Sequence, residues 1–198
     1  VIRVERVGGG EDRWVAPVGA DDVGAMYLVM NRNKRALTLD PASVEGREIV
    51  RKLVVTADVV VANLPPEVLR GLALDLESLR RVKPDIILTT VTAFGAGGPW
   101  SHKHGFDGIG QLMCGSAYLT GTPDQPLRAA VAWVDAGTAS LAAFGTLAAL
   151  MARQKTGLGQ KVEGALLRTA IAYNNPALVE QQFIQVNRVA TLNRGQTS

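Results

Sequence analysis

Two short runs, Asp58–Ala62 (DVVVA) and Asp85–Val91 (DIILTTV), constrain this chain more than any other feature. Each is a nearly unbroken row of apolar and β-branched residues, without the polar alternation of a strand that has one wet face. Such strands are buried on both sides, and a sheet covered on both sides is built from parallel strands joined by helical crossovers. The residues between them supply the crossover. Pro65 and Pro66 open a short helix, and a second helix near Leu76–Arg81 is closed by Pro84. The expected fold class is therefore α/β, with a doubly wound sheet.

The flanks extend the pattern. Val1–Glu5 (VIRVE) alternates as a strand, VGGGED reads as a loop, and a short helix fits Ala25–Met30. Arg35–Leu39 alternates again, and Asp40-Pro41 then begins a helix of roughly 43–55, with Asp as its cap and Pro in its first turn. From about residue 104 the pattern is mainly helical, over 106–113, 136–155 and roughly 164–186. The final NRVATLNRGQTS carries no core pattern. The chain opens without Met or a signal segment, on what reads as a strand already inside a fold. Residues 1–198 are accordingly expected to form one partial domain whose preceding strand and helix are missing.

Composition removes several function classes. With 198 residues, 47% of them hydrophobic and 20% charged, the chain can bury a core and is not a disordered one. A single cysteine, Cys114, excludes an internal disulfide framework and fits a cytoplasmic protein. The 21 basic residues are dispersed among 18 acidic ones, clustering only in NRNKR at 31–35, and no nucleic-acid motif accompanies them. HKHGFD at 102–107 lacks a third ligand pattern, so no metal is expected. Residues 136–152 carry no charge at all, but their Gly, Ser, Thr and Ala content suits a buried helix rather than the ~20 strongly apolar residues of a membrane span.

Asp135 stands at the head of that uncharged run, in WVDAGTASLAAF. As the residue before a helix it is a natural N-cap, accepting from the free amides of the first turn. It also has the makings of a nucleophile. Ala136 and Gly137 let a bulky ligand approach, adjacent backbone N–H groups can stabilise an oxyanion, and an ionised carboxylate can attack an activated acyl group. The helix dipole opposes this second role, because it lowers the basicity of the carboxylate. Only an already activated substrate, such as a thioester, suits so weak a nucleophile.

Several segments together resemble the family III CoA-transferases, which share a superfamily with the α-methylacyl-CoA racemases. They are VIRVE-R at 1–6, NRNKRALTLD at 31–40, ADVVVANLPPEVLRGLALDLESL at 57–79 and FGAGGP at 94–99. GFDGIGQLMCG at 105–115, TGTPDQPLR at 120–128, the Asp135 segment and ALMARQKTGLGQKVEGALL at 149–167 continue the series in the family's order. The resemblance implies a Rossmann-like large domain incomplete at both ends, lacking its first strand and helix and the smaller domain that follows. It also implies a parent about twice this length that forms an interlocked homodimer, with coenzyme A and acyl-CoA as substrates.

By the same resemblance Asp135 is the nucleophile, passing through an acyl-aspartyl anhydride and an aspartyl-CoA thioester. Arg6 aligns with a basic residue at the nucleotide end of CoA, and Asn63 and Leu64 align with the strand-end loop that touches it. His104 falls where some transferases have a Lys that meets CoA. That His is one departure from the family pattern, and there are two more: Arg70 sits one position early, with Gly71 where a Lys or Arg is usual, and VEGALLRTA replaces a more acidic segment. In contrast to the racemases, Phe106 stands where they have a proton-transferring His. A racemase or epimerase using Asp135 and His104, and a non-catalytic CoA-binding paralogue, are the alternative functions.

Overall fold

The computed structural model describes residues 1–15, 18–19, 23–186 and 188–192. They fall into two compact units, Val1–Thr56 and Ala57–Ser198. Of the C-terminal segment read as patternless, Asn187 and residues 193–198 lie outside the described residues.

In the first unit β1 (Ile2–Glu5) and β2 (Arg35–Thr38) pair in parallel, Ile2 opposite Arg35 and Glu5 opposite Thr38. A 3-10 turn at Glu11–Trp14 and α1 (Ala25–Met30) lie between them in the chain, and α2 (Val44–Thr56) follows. The cap of α2 is Ser43 rather than Asp40: Gly46 N donates to Ser43 Oγ at 3.0 Å. Asp40 instead accepts from Ala42 N at 2.9 Å, shaping the turn that leads in and leaving Pro41 outside the helix. Glu5 is buried and accepts from Arg13 Nε at 3.0 Å, and the guanidiniums of Arg13 and Arg3 lie over the Tyr27 ring at 4.2 and 5.0 Å. The bond from Arg13 holds the Glu5 carboxyl below the usual carboxylate range.

The second unit carries a three-stranded parallel sheet in the order β3 (Val59–Ala62), β4 (Ile87–Thr92), β5 (Lys161–Ala165). The crossover from β3 to β4 contains α3 (Pro66–Gly71) and α4 (Leu76–Val82), with Pro66 in the first turn of one and Asp75 capping the other at 3.1 Å. Both apolar runs thus form strands where the sequence places them, but only β4 is largely buried as expected; β3 is partly exposed, with Val61 at 70% exposure. After β4 come α5 (Asp107–Met113), α6 (Ser116–Thr120) and α7 (Trp133–Thr156), and after β5 come α8 (Leu166–Tyr173) and α9 (Asn175–Ile184). The stretch 164–186, expected as one helix, is instead the end of β5 and two helices. Lys, Glu and Gly in KVEGA are poor strand formers, and pairing with β4 overrides them.

The long helix α7 runs against β4 and β5. Val134, Thr138, Ala142 and Ala149, spaced along one helical face, are its buried residues. Close approach depends on small side chains. A Cβ on Gly145 would sit 2.9 Å from Val162 Cγ1, and one on Gly164 of β5 would sit 3.1 Å from Thr138 Cγ2. At its C-terminal end Gly157, at φ +71°, closes the helix. There Arg153 reaches Asp58 at 2.8 Å and Asp85 at 3.4 Å, the residues just ahead of β3 and β4. This ties the helix end to the amino edge of the sheet, so its first turn lies toward the carboxyl edge. Phe144, Leu147 and Met151 on the other face are exposed.

Gly110 of α5 lies where a Cβ would be 2.7 Å from Val134 Cγ1 and 3.4 Å from Ala170 Cβ. Gly110→Ala is expected to destabilise the protein by about 1–3 kcal/mol through this overpacking. Thermal unfolding measures it, and an unchanged melt would show that α5 is free to move off α7.

Candidate active site

Three parallel strands end together, and the next residue of each, Asn63 after β3, Ala93 after β4 and Leu166 after β5, lines one cleft of about 340 Å³. That volume falls in the range of small-molecule sites, ~300–1,000 Å³. The carboxyl edge of a parallel sheet is where such sites form, since the strands stop and the loops diverge. Asp135 and Ala139 of α7 form another wall, and Ser101, Lys103, His104 and Phe106 from the loop before α5 complete it. Lys103 sits 4.6 Å over the Trp100 ring, and Trp100 packs edge-on against Phe94 at 5.4 Å.

Three of the residues singled out in the sequence, Asn63, His104 and Asp135, therefore share one cleft; His104 and Asn63 are exposed. Leu64 lines a neighbouring cavity of about 130 Å³ with Arg70 and Lys161, and Thr92 borders both spaces. Arg6 belongs to the first unit, where its side chain is exposed and its Nε donates to Gly9 O at 2.9 Å. Among the described residues no group of three or more His, Cys, Asp or Glu is arranged to hold a metal ion.

Asp135 is not the cap of α7. The helix begins at Trp133, with Ala132 in the capping position, so Asp135 already lies inside the first turn. Asp107, the first residue of α5, does the capping from outside: its Oδ2 accepts from Val134 N at 2.9 Å and Asp135 N at 3.2 Å. Its Oδ1 accepts from Gln111 Nε2, and Gln111 Oε1 accepts from Ala129 N at 2.7 Å. Asp107 and Gln111 are both buried, so this chain of bonds fixes the segment leading into α7. The amides expected as oxyanion donors are consumed by it. Ala136 N is also taken, by Ala132 O at 3.1 Å.

The carboxylate of Asp135 is left half-buried, and no group among the described residues donates to it. Burial, and next the charge of Asp107, push its pKa above the ordinary aspartate value. Beneath it Ala93, Cys114, Val134, Leu166 and Ala170 form an apolar cluster. Asp107 went unread in the sequence, although Asp-x-x-x-Gln is a same-face pair on a helix. Two amides of the glycine-rich FGAGGP loop are likewise taken: Gly95 N donates to Thr92 Oγ1 and Ala96 N to Glu163 Oε1, both at 3.0 Å.

A raised carboxyl pKa carries a stability consequence of definite sign. Between the unfolded and the folded value the native state holds more protons, so stability falls as pH rises through that window and levels off above it. Asp135→Asn, which keeps the shape and drops the charge, is expected to raise the melting temperature by up to about 3 °C at neutral pH. It should give no gain below the ordinary aspartate range. Melting curves across pH test this, and a lower melting temperature at neutral pH would contradict it.

Comparison with known proteins joins this geometry to a family. The family model described as CoA-transferase family III matches residues 1–197. The chain is 39% identical over 175 residues to a succinate–glutarate CoA-transferase of Agrobacterium fabrum, covering 84% of this chain and 44% of that protein. It is 33% identical to a formyl-CoA:oxalate CoA-transferase of Rhodopseudomonas palustris, covering 92% of this chain and 43% of that one. Among solved structures, a CAIB/BAIF family protein from Brucella suis superposes with a TM-score of 0.89 at 32% identity, over 96% of this chain and 52% of that one. The chain thus spans less than half the length of these curated relatives and about half of that structure. The match along nearly its whole length establishes that the chain belongs to CoA-transferase family III.

Proposed function

We propose that the full-length protein transfers coenzyme A from an acyl-CoA thioester to a carboxylic acid, with Asp135 as the covalent nucleophile. The observation that carries this reading is a half-buried carboxylate with no hydrogen-bond donor among the described residues, standing in a cleft at the carboxyl edge of the sheet. An ionised carboxylate without donors keeps its lone pairs available for attack. Asp135 attacks the thioester carbonyl and the CoA thiolate leaves, giving an acyl-aspartyl anhydride. The thiolate then attacks the aspartyl carbonyl and expels the donor acid, giving an aspartyl-CoA thioester. The acceptor carboxylate attacks that thioester, and the thiolate finally takes the acceptor's acyl group, restoring the Asp135 carboxylate. Each step exchanges one activated carboxyl for another, so little driving force is needed.

Coenzyme A and acyl-CoA enter here as substrates, with contacts assigned to Arg6, Asn63, Leu64 and His104. Asn63 and His104 line the cleft with Asp135, which supports their part in the assignment. A racemase needs a second acid/base group opposite Asp135, and the position before Asp107 is Phe106, which carries no proton. Assembly as an interlocked homodimer would cover exposed apolar residues such as Phe144 and Met151.

The test is peptide mapping of the full-length protein after incubation with succinyl-CoA and quenching with borohydride, which reduces an aspartyl thioester to the alcohol. Trypsin releases Ala129–Arg153, in which Asp135 is the only side-chain carboxylate. Loss of one oxygen and gain of two hydrogens, confined to that peptide and dependent on acyl-CoA, is the expected result. Asp135→Ala should lower kcat by about a thousandfold or more. Turnover that survives the substitution would remove Asp135 as nucleophile.

A further inference from the structure

Asp135 occupies an unfavourable place for a nucleophile. The amino end of a long helix carries about half a positive charge, and free amides there would hold the carboxylate in place and lower its basicity. In this fold those amides are already taken. Asp107 is buried to 7% exposure, bonds to both Val134 N and Asp135 N with one oxygen, and uses its other oxygen on Gln111. Its negative charge therefore sits on the helix end, and Asp135 projects from that end without a partner among the described residues.

We propose that Asp107 is the positioning residue of this site: by capping α7 with a buried carboxylate, it offsets the positive end of the helix and leaves Asp135 unpaired and free to attack. The inference rests on the reading of Asp135 as nucleophile and adds what makes that residue reactive. Two effects act together. The bonds fix the first turn, so that the Asp135 side chain faces the cleft, and the charge of Asp107 disfavours a second settled charge beside it. The upward displacement of the Asp135 pKa, due to burial first and Asp107 next, agrees with that arrangement. Among the described residues, the other titratable groups lining the cleft with Asp135 are Lys103 and His104, from the loop before α5. The strands β4 and β5 and helix α8, with the residue that follows β4, present only Val91, Thr92, Ala93 and Leu166 to the cleft.

The test is the titration of Asp135 itself in the full-length protein, followed by carbon NMR of labelled aspartate carboxyls, with the signal assigned by Asp135→Asn. The expected wild-type midpoint lies above the ordinary aspartate value. Asp107→Asn, which retains an acceptor oxygen and loses the charge, should move it down, and Asp107→Glu should return it upward. With succinyl-CoA and glutarate as substrates, Asp107→Asn should lower kcat about tenfold and leave the KM for succinyl-CoA within about twofold. A wild-type midpoint at or below the ordinary value, or the same midpoint in Asp107→Asn, overturns the inference. A wild-type midpoint at or below the ordinary value overturns it whether or not that variant folds. Because the titration uses no substrate, it answers separately from the reading it rests on, which fails instead if the wild-type protein forms no aspartyl adduct.

Discussion

A buried carboxylate belonging to one helix closes the end of another, and the candidate site depends on that contact. Asp107 accepts from the first amides of α7 while Gln111, one turn along α5, holds the backbone of Ala129. A buried acceptor with its donors satisfied is rigid, because breaking any bond strands a polar group away from water. The loop entering α7, the direction of its first turn and the exposure of Asp135 all follow from this. Packing reinforces it, since Gly110 allows α5 to lie directly on Val134.

The other end of α7 is fixed by charge rather than by capping. Arg153 meets the carboxylates that precede β3 and β4, and the left-handed Gly157 ends the helix there. A helix rises about 1.5 Å per residue, so the eighteen residues from Arg153 back to Asp135 carry that carboxylate about 27 Å, from the amino edge of the sheet to its carboxyl edge. The run without charge serves this traverse. One face of it is small enough to lie on β5, and a charged side chain on that face would have to be buried.

Glu163 shows the same logic at a second loop. A glycine-rich loop after a strand suggests an anion cradle, but a carboxylate of β5 already accepts from Ala96, with Arg168 at 2.8 Å and Lys161 at 3.0 Å on its own oxygens. The departure of VEGALLRTA from its family's pattern thus has a structural counterpart, a tether between β5 and the loop. Burial pushes the Glu163 carboxyl up, but the bonds from Ala96, Lys161 and Arg168 outweigh it and hold its pKa below the ordinary value.

The sequence by itself determined the two apolar parallel strands, the helix opened by Pro66, the end of α7 and the residues worth watching, Asn63, His104 and Asp135. These are local matters: apolar continuity, a fixed φ, a side chain able to reach its own backbone. Only the tertiary structure decided that KVEGA is a strand, because its partner is more than sixty residues away in the chain. It also decided what Asp135 is. Local rules make an aspartate at a helix start a cap, and they hold only while no other acceptor competes for the amides. Asp107 competes from 28 residues away, and burial gives its bonds the advantage.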